Sequence, residues 1–330
     1  MPDEAAEALR AVACSSLDEP SDGAAEVRET RIAPNLHRQR LDKALVDLAS
    51  EFSRSHLQRL LEGGHVQLDG VVAPSASKKV LVGQRLRLEL VPTEESRAFV
   101  PQAMALEVLF EDQHLLILNK PAGLVVHPAP GNWSGTLLNG LLAHHPGAAG
   151  LPRAGIVHRL DKDTSGVMMV GKTLAAVTAL VRDIGLRMVH RRYLALAHGI
   201  PTEASLQIDA PIGRDPHVRV RMAVVTSLAG GRASRTDVAC VATRDGISAL
   251  RCTLHSGRTH QIRVHLAWRG LPLVADTLYG GRPALGMTRQ ALHATELHLA
   301  HPITRAALEF VCAPPTDFLR AWHLVTVAAR

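Results

Sequence analysis

Apolar residues recur at two different spacings along this chain, and the spacing changes with position. Between residues 36 and 92, LDKALVDLAS and SRSHLQRLLEGG set leucines three and four apart, the period of a helix with one buried face. HVQLDG and VGQRLRLEL alternate apolar with polar residues, as half-buried strands do. Gly63-Gly64 stops the second helix, and Asp69-Gly70 is a hairpin turn. A compact helix-helix-strand unit is therefore expected over 36–92. The polar VPTEESRAFVPQ, bracketed by Pro92 and Pro101, reads as a linker over 93–101.

From residue 102 the pattern becomes strand-rich: ALEVLFED, HLLILNKPAGLVVHP, GIVHRLD, GVMMVGKT, RRYLALAHG, VACVAT and ALRCTLHSG. Helical periods interrupt it at GTLLNGLLAHH, LAAVTALVRDIG and RTHQIRVHLAW. Such mixing predicts an α+β protein, a small α/β domain followed by a second domain over 102–325 built on a large, mainly antiparallel mixed sheet, with a tail at 326–330. Residues 1–35, rich in Ala, Glu, Ser, Asp and Gly, show no sustained period and are expected to form a disordered tail.

Composition adds bounds. A chain of 330 residues, 46% hydrophobic, can bury two cores. No run approaches the roughly 18 apolar residues of a membrane span. The first residues, MPDEAAEALR, are acidic where a signal peptide is basic and then apolar, so a cytoplasmic address is expected. Cys14, Cys240, Cys252 and Cys312 lie far apart, with neither zinc-clasp nor disulfide spacing. Charge is uneven: residues 1–35 hold eight acids against three arginines, so the rest of this net +6 chain carries +11. A body that basic suits a polyanionic partner, since each phosphate neutralised by Arg or Lys releases counterions. Membrane and DNA are not expected as partners, and a monomer is.

The tetrapeptide RLDK occurs at 40–43 and again at 159–162, and its two aspartates have different surroundings. Asp42 opens a helical period, where a carboxylate is stabilised by the exposed N–H groups and the helix dipole. Around it Arg38, Arg40, Lys43, Arg54 and Arg59 recur on two short helices, with Ser53 and Ser55 able to donate to phosphate oxygens. Asp161 follows a buried-looking strand, AGIVHRL, and precedes the polar turn KDTSG. Loops held between strands commonly position catalytic groups, although a surface ion pair with Arg159 or Lys162 would also account for this aspartate.

The stretches RLDKAL, SRSHLQRLLEGGHVQLDG and VGQRLRL resemble the S4 RNA-binding module, in which a helix pair grips structured RNA. NKPAGLVVHP, AGIVHRLDKDTSG, RRYLALAHG, SGRTHQIRVHLA and RQALHA together resemble pseudouridine synthases of the RluA/RluD type, over nearly the whole chain from Arg40 to Phe318. That resemblance implies an isomerase (an intramolecular transferase) that converts uridine to pseudouridine in RNA, most often 23S ribosomal RNA for S4-bearing members, without metal or cofactor. It implies roles for five residues. Asp161 matches the catalytic aspartate, Tyr193 the pocket tyrosine and Arg263 the basic residue that pairs with the aspartate; Arg159 matches the base-flipping arginine, and Leu292 a pocket-lining position.

The chemistry calls for such a set. The N1–C1′ bond must break, the uracil must turn, and C5 must join C1′, by attack of an anionic oxygen at C1′ or by proton removal at C2′ through a glycal. A guanidinium beside Asp161 would keep it ionised against desolvation. Lys120-Pro121 is expected to shape a turn beneath the site. One tyrosine suits one flipped base; an aromatic content of 3% argues against a multi-base stacking platform. Eighteen histidines invite a metal, but residues five apart on a helix, as His260 and His265 are, stand about 140° apart, unlike ligands four apart on one face. "VADTLYGG" departs from the Gly-Asp-Pro turn common among such synthases. Two other functions stay open at this point: an RNA-binding ribosome assembly factor without catalysis, and a glycosylase that releases its base.

Overall fold

In a computed structural model the described residues are 26–50, 54–90, 99–129, 131–218 and 220–327. They form two compact units divided between Ser96 and Arg97. The first contains β1 (Glu26–Arg31), α1 (Leu41–Leu48), α2 (Arg54–Glu62), β2 (Val66–Leu68), β3 (Val71–Val72) and β4 (Arg85–Leu90). The helical periods fall where the leucines placed them. Leu41, Ala44 and Leu45 of α1 and Leu57, Leu60 and Leu61 of α2 are buried, with Leu86, Leu88 and Leu90 of β4, which alternate inward. Asp69 and Gly70 both have positive φ, the signature of a tight hairpin turn, and join β2 to β3.

The disordered tail expected over 1–35 is corrected at its end: Glu26–Arg31 pair antiparallel with β4, from Glu26↔Leu90 to Arg31↔Arg85. β1 is polar and edge-located, with Ile32 entering the core just beyond it, so no apolar alternation marks it in sequence. Residues 1–25 lie outside the described residues, as do 91–98, which include 93–98 of the expected linker.

The second unit is built on a nine-stranded sheet. Its elements in chain order begin with β5 (Glu107–Glu111), β6 (Leu115–Lys120), α3 (Leu137–His144), β7 (Ser165–Gly171), α4 (Leu174–Gly185) and β8 (His190–His198). There follow β9 (Ser205–Asp209), β10 (Ile212–Arg214), β11 (Met222–Val224), β12 (Arg235–Arg244), β13 (Ile247–Leu254) and α5 (Gln261–Trp268). β14 (Leu292–Ala300), β15 (Ala307–Val311) and α6 (Thr316–Thr326) complete it. The strand order is β5-β6-β7-β14-β8-β13-β12-β9, with β15 beside β14 and β10-β11 a separate hairpin. All pairings among the described residues are antiparallel except β7 with β14, which meet at Ser165↔His293 and Gly166↔Ala294. Gly166 is required there: its φ is 119° and a Cβ would collide with the Ala294 backbone.

Two stretches expected as strands turn out otherwise. HLLILNKPAGLVVHP is a strand only to Lys120, because Pro121 removes a donor and Gly123 turns the chain at φ 88°. AGIVHRL is not a strand. Residues Pro152–Gly155 form a short 3-10 turn in which Arg153, Ala154 and Gly155 all have positive φ, and Ile156 makes a single bridge to Val170. A ladder cannot continue through left-handed residues. Instead the His158 ring covers the strand, its Nε2 accepting the Met169 N–H at 3.0 Å.

Candidate active site

A cleft of about 660 Å³ opens in the second unit, and Asp161, Arg159, Tyr193, Arg263 and Leu292 all line it. Residues more than a hundred positions apart in sequence are thus brought to one wall. Each comes from a different kind of support. Asp161 lies in the loop that enters β7, closed by a Thr164 N–H donated to its own carbonyl at 3.1 Å. Beneath that loop the fully buried Lys120 donates from Nζ to the carbonyls of Pro121, Leu124 and Lys162 at 2.7, 2.9 and 2.9 Å. A turn at Pro121 was expected; a lysine stapling two loops was not. Burial lowers the Lys120 pKa to about 8, against the pull of Asp163 and Asp161.

Arg263 projects from α5 and is 6% exposed. Its Nη1 donates to Asp161 Oδ2 at 3.0 Å, while Nε and Nη2 donate to the two oxygens of Asp276 at 2.7 and 2.8 Å. Burial works against the guanidinium charge, but the bonds and charge of Asp276, then those of Asp161, outweigh it and raise the pKa. The planar fork leaves Nη1 aimed at one oxygen of Asp161, so that carboxylate is held in direction as well as in charge. The ring of Tyr279 lies 5.0 Å from the guanidinium carbon, a cation–π distance. Its hydroxyl accepts the Met222 N–H at 2.9 Å and sits 2.8 Å from His260 Nδ1. His260 Nε2 stands 3.9 Å from Asp161 Oδ1, and burial lowers its pKa against the pull of that carboxylate.

Tyr193 is central in β8, opposite Cys252 of β13 and Ala294 of β14, and burial raises its pKa. Leu292 begins β14 and is buried. Arg159 is exposed at the cleft, where Trp133, His127 and Arg153 also lie. Burial, then the charges of Arg159 and Arg153, lower the His127 pKa to about 4.

Sequence reasoning missed Asp276, Tyr279 and His260. Asp276 and Tyr279 lie inside VADTLYGG, which stood out only as a departure. The available signal was Arg263 itself: an arginine in the apolar stretch QIRVHLAW needs an acid when buried. His265, four residues from the helix start, has both ring nitrogens occupied, Nδ1 by Thr236 Oγ1 at 2.9 Å and Nε2 by the Ala210 carbonyl at 3.0 Å.

In the first unit Arg38, Arg40, Lys43, Arg54 and Arg59 are all exposed. Asp42 sits in the first turn of α1, as expected, but its carboxylate does not cap the helix. It accepts instead from Arg40 Nη2 at 3.1 Å and Arg54 Nη2 at 2.9 Å. Ser53 lies outside the described residues, and the Ser55 side chain is likewise not described.

Similarity to known proteins is extensive. Residues 114–268 match the family model described as RNA pseudouridylate synthase, and residues 39–86 match the S4 domain. The chain is 46% identical to the ribosomal large subunit pseudouridine synthase D of Neisseria meningitidis serogroup B, over 87% of this chain and 78% of that one. It is 44% identical to the enzyme of the same name from Nitrosomonas europaea, over 88% and 85%. Among solved structures, human RNA pseudouridylate synthase domain containing 1 aligns with a TM-score of 0.51 and 27% identity, over 64% of this chain and 84% of that one.

Proposed function

Because the chain belongs to the pseudouridine synthase family, in its S4-bearing ribosomal large-subunit branch, we propose that its cleft isomerises uridine to pseudouridine in large-subunit (23S) ribosomal RNA. The observation that carries the residue assignment is the Asp161 carboxylate, 3.0 Å from an arginine whose other two donors are committed to Asp276. A carboxylate so held is fixed through Oδ2 and keeps Oδ1 out of that bond, in a residue that lines the cleft. It attacks C1′ of the bound uridine or removes the C2′ proton, and the same placement serves either route.

The remaining residues act around it. Arg159, exposed beside the cleft, inserts where the target base leaves its stack, and phosphate contacts offset an unstacking cost of a few kcal/mol. Tyr193 and Leu292 form the wall against which the uracil turns. The basic face of Arg38, Arg40, Lys43, Arg54 and Arg59 holds phosphates of the same RNA, positioning it without reading sequence. The family resemblance further implies a cytoplasmic enzyme that needs no metal or cofactor, and we take it to act as a monomer.

Asp161→Asn tests this reading. The variant should lose isomerisation while keeping wild-type affinity for RNA, because phosphate contacts dominate binding. Mass spectrometry of treated RNA separates the rival activities: an isomerase leaves RNA mass unchanged, and a glycosylase liberates free uracil. Undiminished pseudouridine formation by Asp161→Asn would remove the aspartate from the chemistry.

A further inference from the structure

A buried cation in the cleft wall is left without an anion. Arg191 precedes Tyr193 by two residues on β8, so both side chains leave the same face of the strand, and both line the cleft. Arg191 is 7% exposed. Among the described residues it has neither an acid partner nor a side-chain hydrogen bond, and its Nε is sealed from solvent.

The surroundings maintain that state. His158 is held neutral: its Nε2 accepts the Met169 N–H, and burial, then the charge of Arg191, lowers its pKa to about 3. Tyr193 is an un-ionised phenol, since burial raises its pKa. Gly257 leaves the space the guanidinium occupies, for a Cβ there would stand 2.9 Å from Nη1. Asp161, the acid of the cleft, is already bonded to Arg263. A buried, uncompensated cation is costly unless negative charge arrives or develops beside it.

Resting on the isomerase reading above, we propose that Arg191 is a catalytic residue whose guanidinium donates to a carbonyl oxygen of the uracil as negative charge collects there. When N1–C1′ breaks, both electrons go to the base, which becomes a uracil anion with charge spread over N1, O2 and O4. C1′ is compensated by a bond to an Asp161 oxygen, or by loss of the C2′ proton to Asp161. C5 then bonds C1′; the ester bond to Asp161 breaks or the C2′ proton returns, and the proton lost from C5 is matched by one gained at N1. A donor already in place for that transient anion lowers the barrier without tightening the ground state. The alternative ligand, a backbone phosphate, fits the exposed Arg153 and Arg159 of the same cleft better than a side chain set into the wall beside the pocket tyrosine.

The test uses the full chain and an RNA fragment in which the wild type forms pseudouridine. Arg191→Met should lower the single-turnover rate at saturating enzyme by about 100-fold or more, the effect of losing one oxyanion donor. RNA Kd and its salt dependence should stay at wild-type values. Thermal stability should equal or exceed wild type, because an unpaired buried charge has been removed. Arg191→Lys should recover part of the rate, and Gly257→Ala, which displaces the guanidinium, should lose part of it. An unchanged rate overturns the proposal. So does a weakened, less salt-sensitive Kd with the rate intact, which would make Arg191 a phosphate clamp, and so does a lower melting temperature accompanying the lost rate, which would make its role structural. A wild type that forms no pseudouridine in any ribosomal fragment would instead overturn the functional reading.

Discussion

Asp42 and Asp161 stand in identical RLDK tetrapeptides, and both accept hydrogen bonds from arginine, yet the two sites are built in opposite senses. At Asp42 one acid serves two arginines, whose side chains remain 52% and 60% exposed. At Arg263 one arginine, 8% exposed as a side chain, serves two acids, Asp161 and the wholly buried Asp276. The first arrangement leaves surplus positive charge in contact with water. The second leaves surplus negative charge inside, shared between Asp276 and Asp161, which lines the cleft. The ratio and burial of the partners, rather than the presence of a salt bridge, distinguish the two sites, and the roles proposed for them follow that difference.

The buried arrangement should break with the largest effect. Asp276→Asn keeps the shape but sets an amide donor against guanidinium donors, leaving Arg263 buried with an incomplete partner. Folding stability should fall by about 3–5 kcal/mol in denaturant unfolding. Isomerisation should fall with it, because Asp161 loses its fixed neighbour. Arg263→Lys should fold better than Asp276→Asn yet turn over severely more slowly than wild type, since an ammonium cannot span both oxygens of Asp276 and still reach Asp161. Wild-type stability in Asp276→Asn, or wild-type turnover in Arg263→Lys, would collapse the contrast.

A smaller effect is expected from the exposed arrangement. Replacing Arg40 and Arg54 together by Gln should weaken RNA binding and reduce the slope of log K against log salt by about 0.7 to 0.9 for each phosphate that is no longer neutralised. The rate at saturating RNA should not change. Titration against salt decides it, and an unchanged slope would mean that these side chains meet only Asp42 and water.

The smallest effect belongs to Asp42→Asn, at most about 1 kcal/mol, because its partners lie in solvent. The direction with pH is fixed. The hydrogen bond from Arg40 leads the causes that lower the Asp42 pKa below its ordinary 3.8. Its contribution is therefore fully present above that value and is lost as pH falls through the folded-state pKa. Acid unfolding of Asp42→Asn should accordingly lack that part of the wild-type decline below pH 3.8. An equal loss at neutral and acid pH would show that the carboxylate acts by packing instead.

Local pattern carried a good deal of this protein. The leucine periods of α1 and α2, the turn at Asp69-Gly70, and the alternation of β4 are properties of a few adjacent residues, and they determined the first unit apart from β1. β1 escaped because an edge strand needs backbone pairing more than apolar side chains. The likeness of the quoted motifs pointed to the family, and the loop position of Asp161 against the helical position of Asp42 separated the two aspartates. What local pattern could not carry was partnership. AGIVHRL reads as a strand because its residues are apolar, but left-handed residues at 153–155 and a histidine ring on the Met169 N–H make it a loop, and both features answer to a neighbouring strand.

By itself, then, the sequence determined the locally patterned elements and the motifs that point to the family, and showed that a basic body suits a polyanion. Only the tertiary structure decided which acid answers which arginine. Asp276 lies 13 residues from Arg263, Asp161 lies 102 away, and Arg191 has no acid among the described residues. Periodicity records how a residue sits on its own element; ion pairing inside a protein depends on distance and desolvation among groups from different elements, which are fixed when the sheet and α5 pack together.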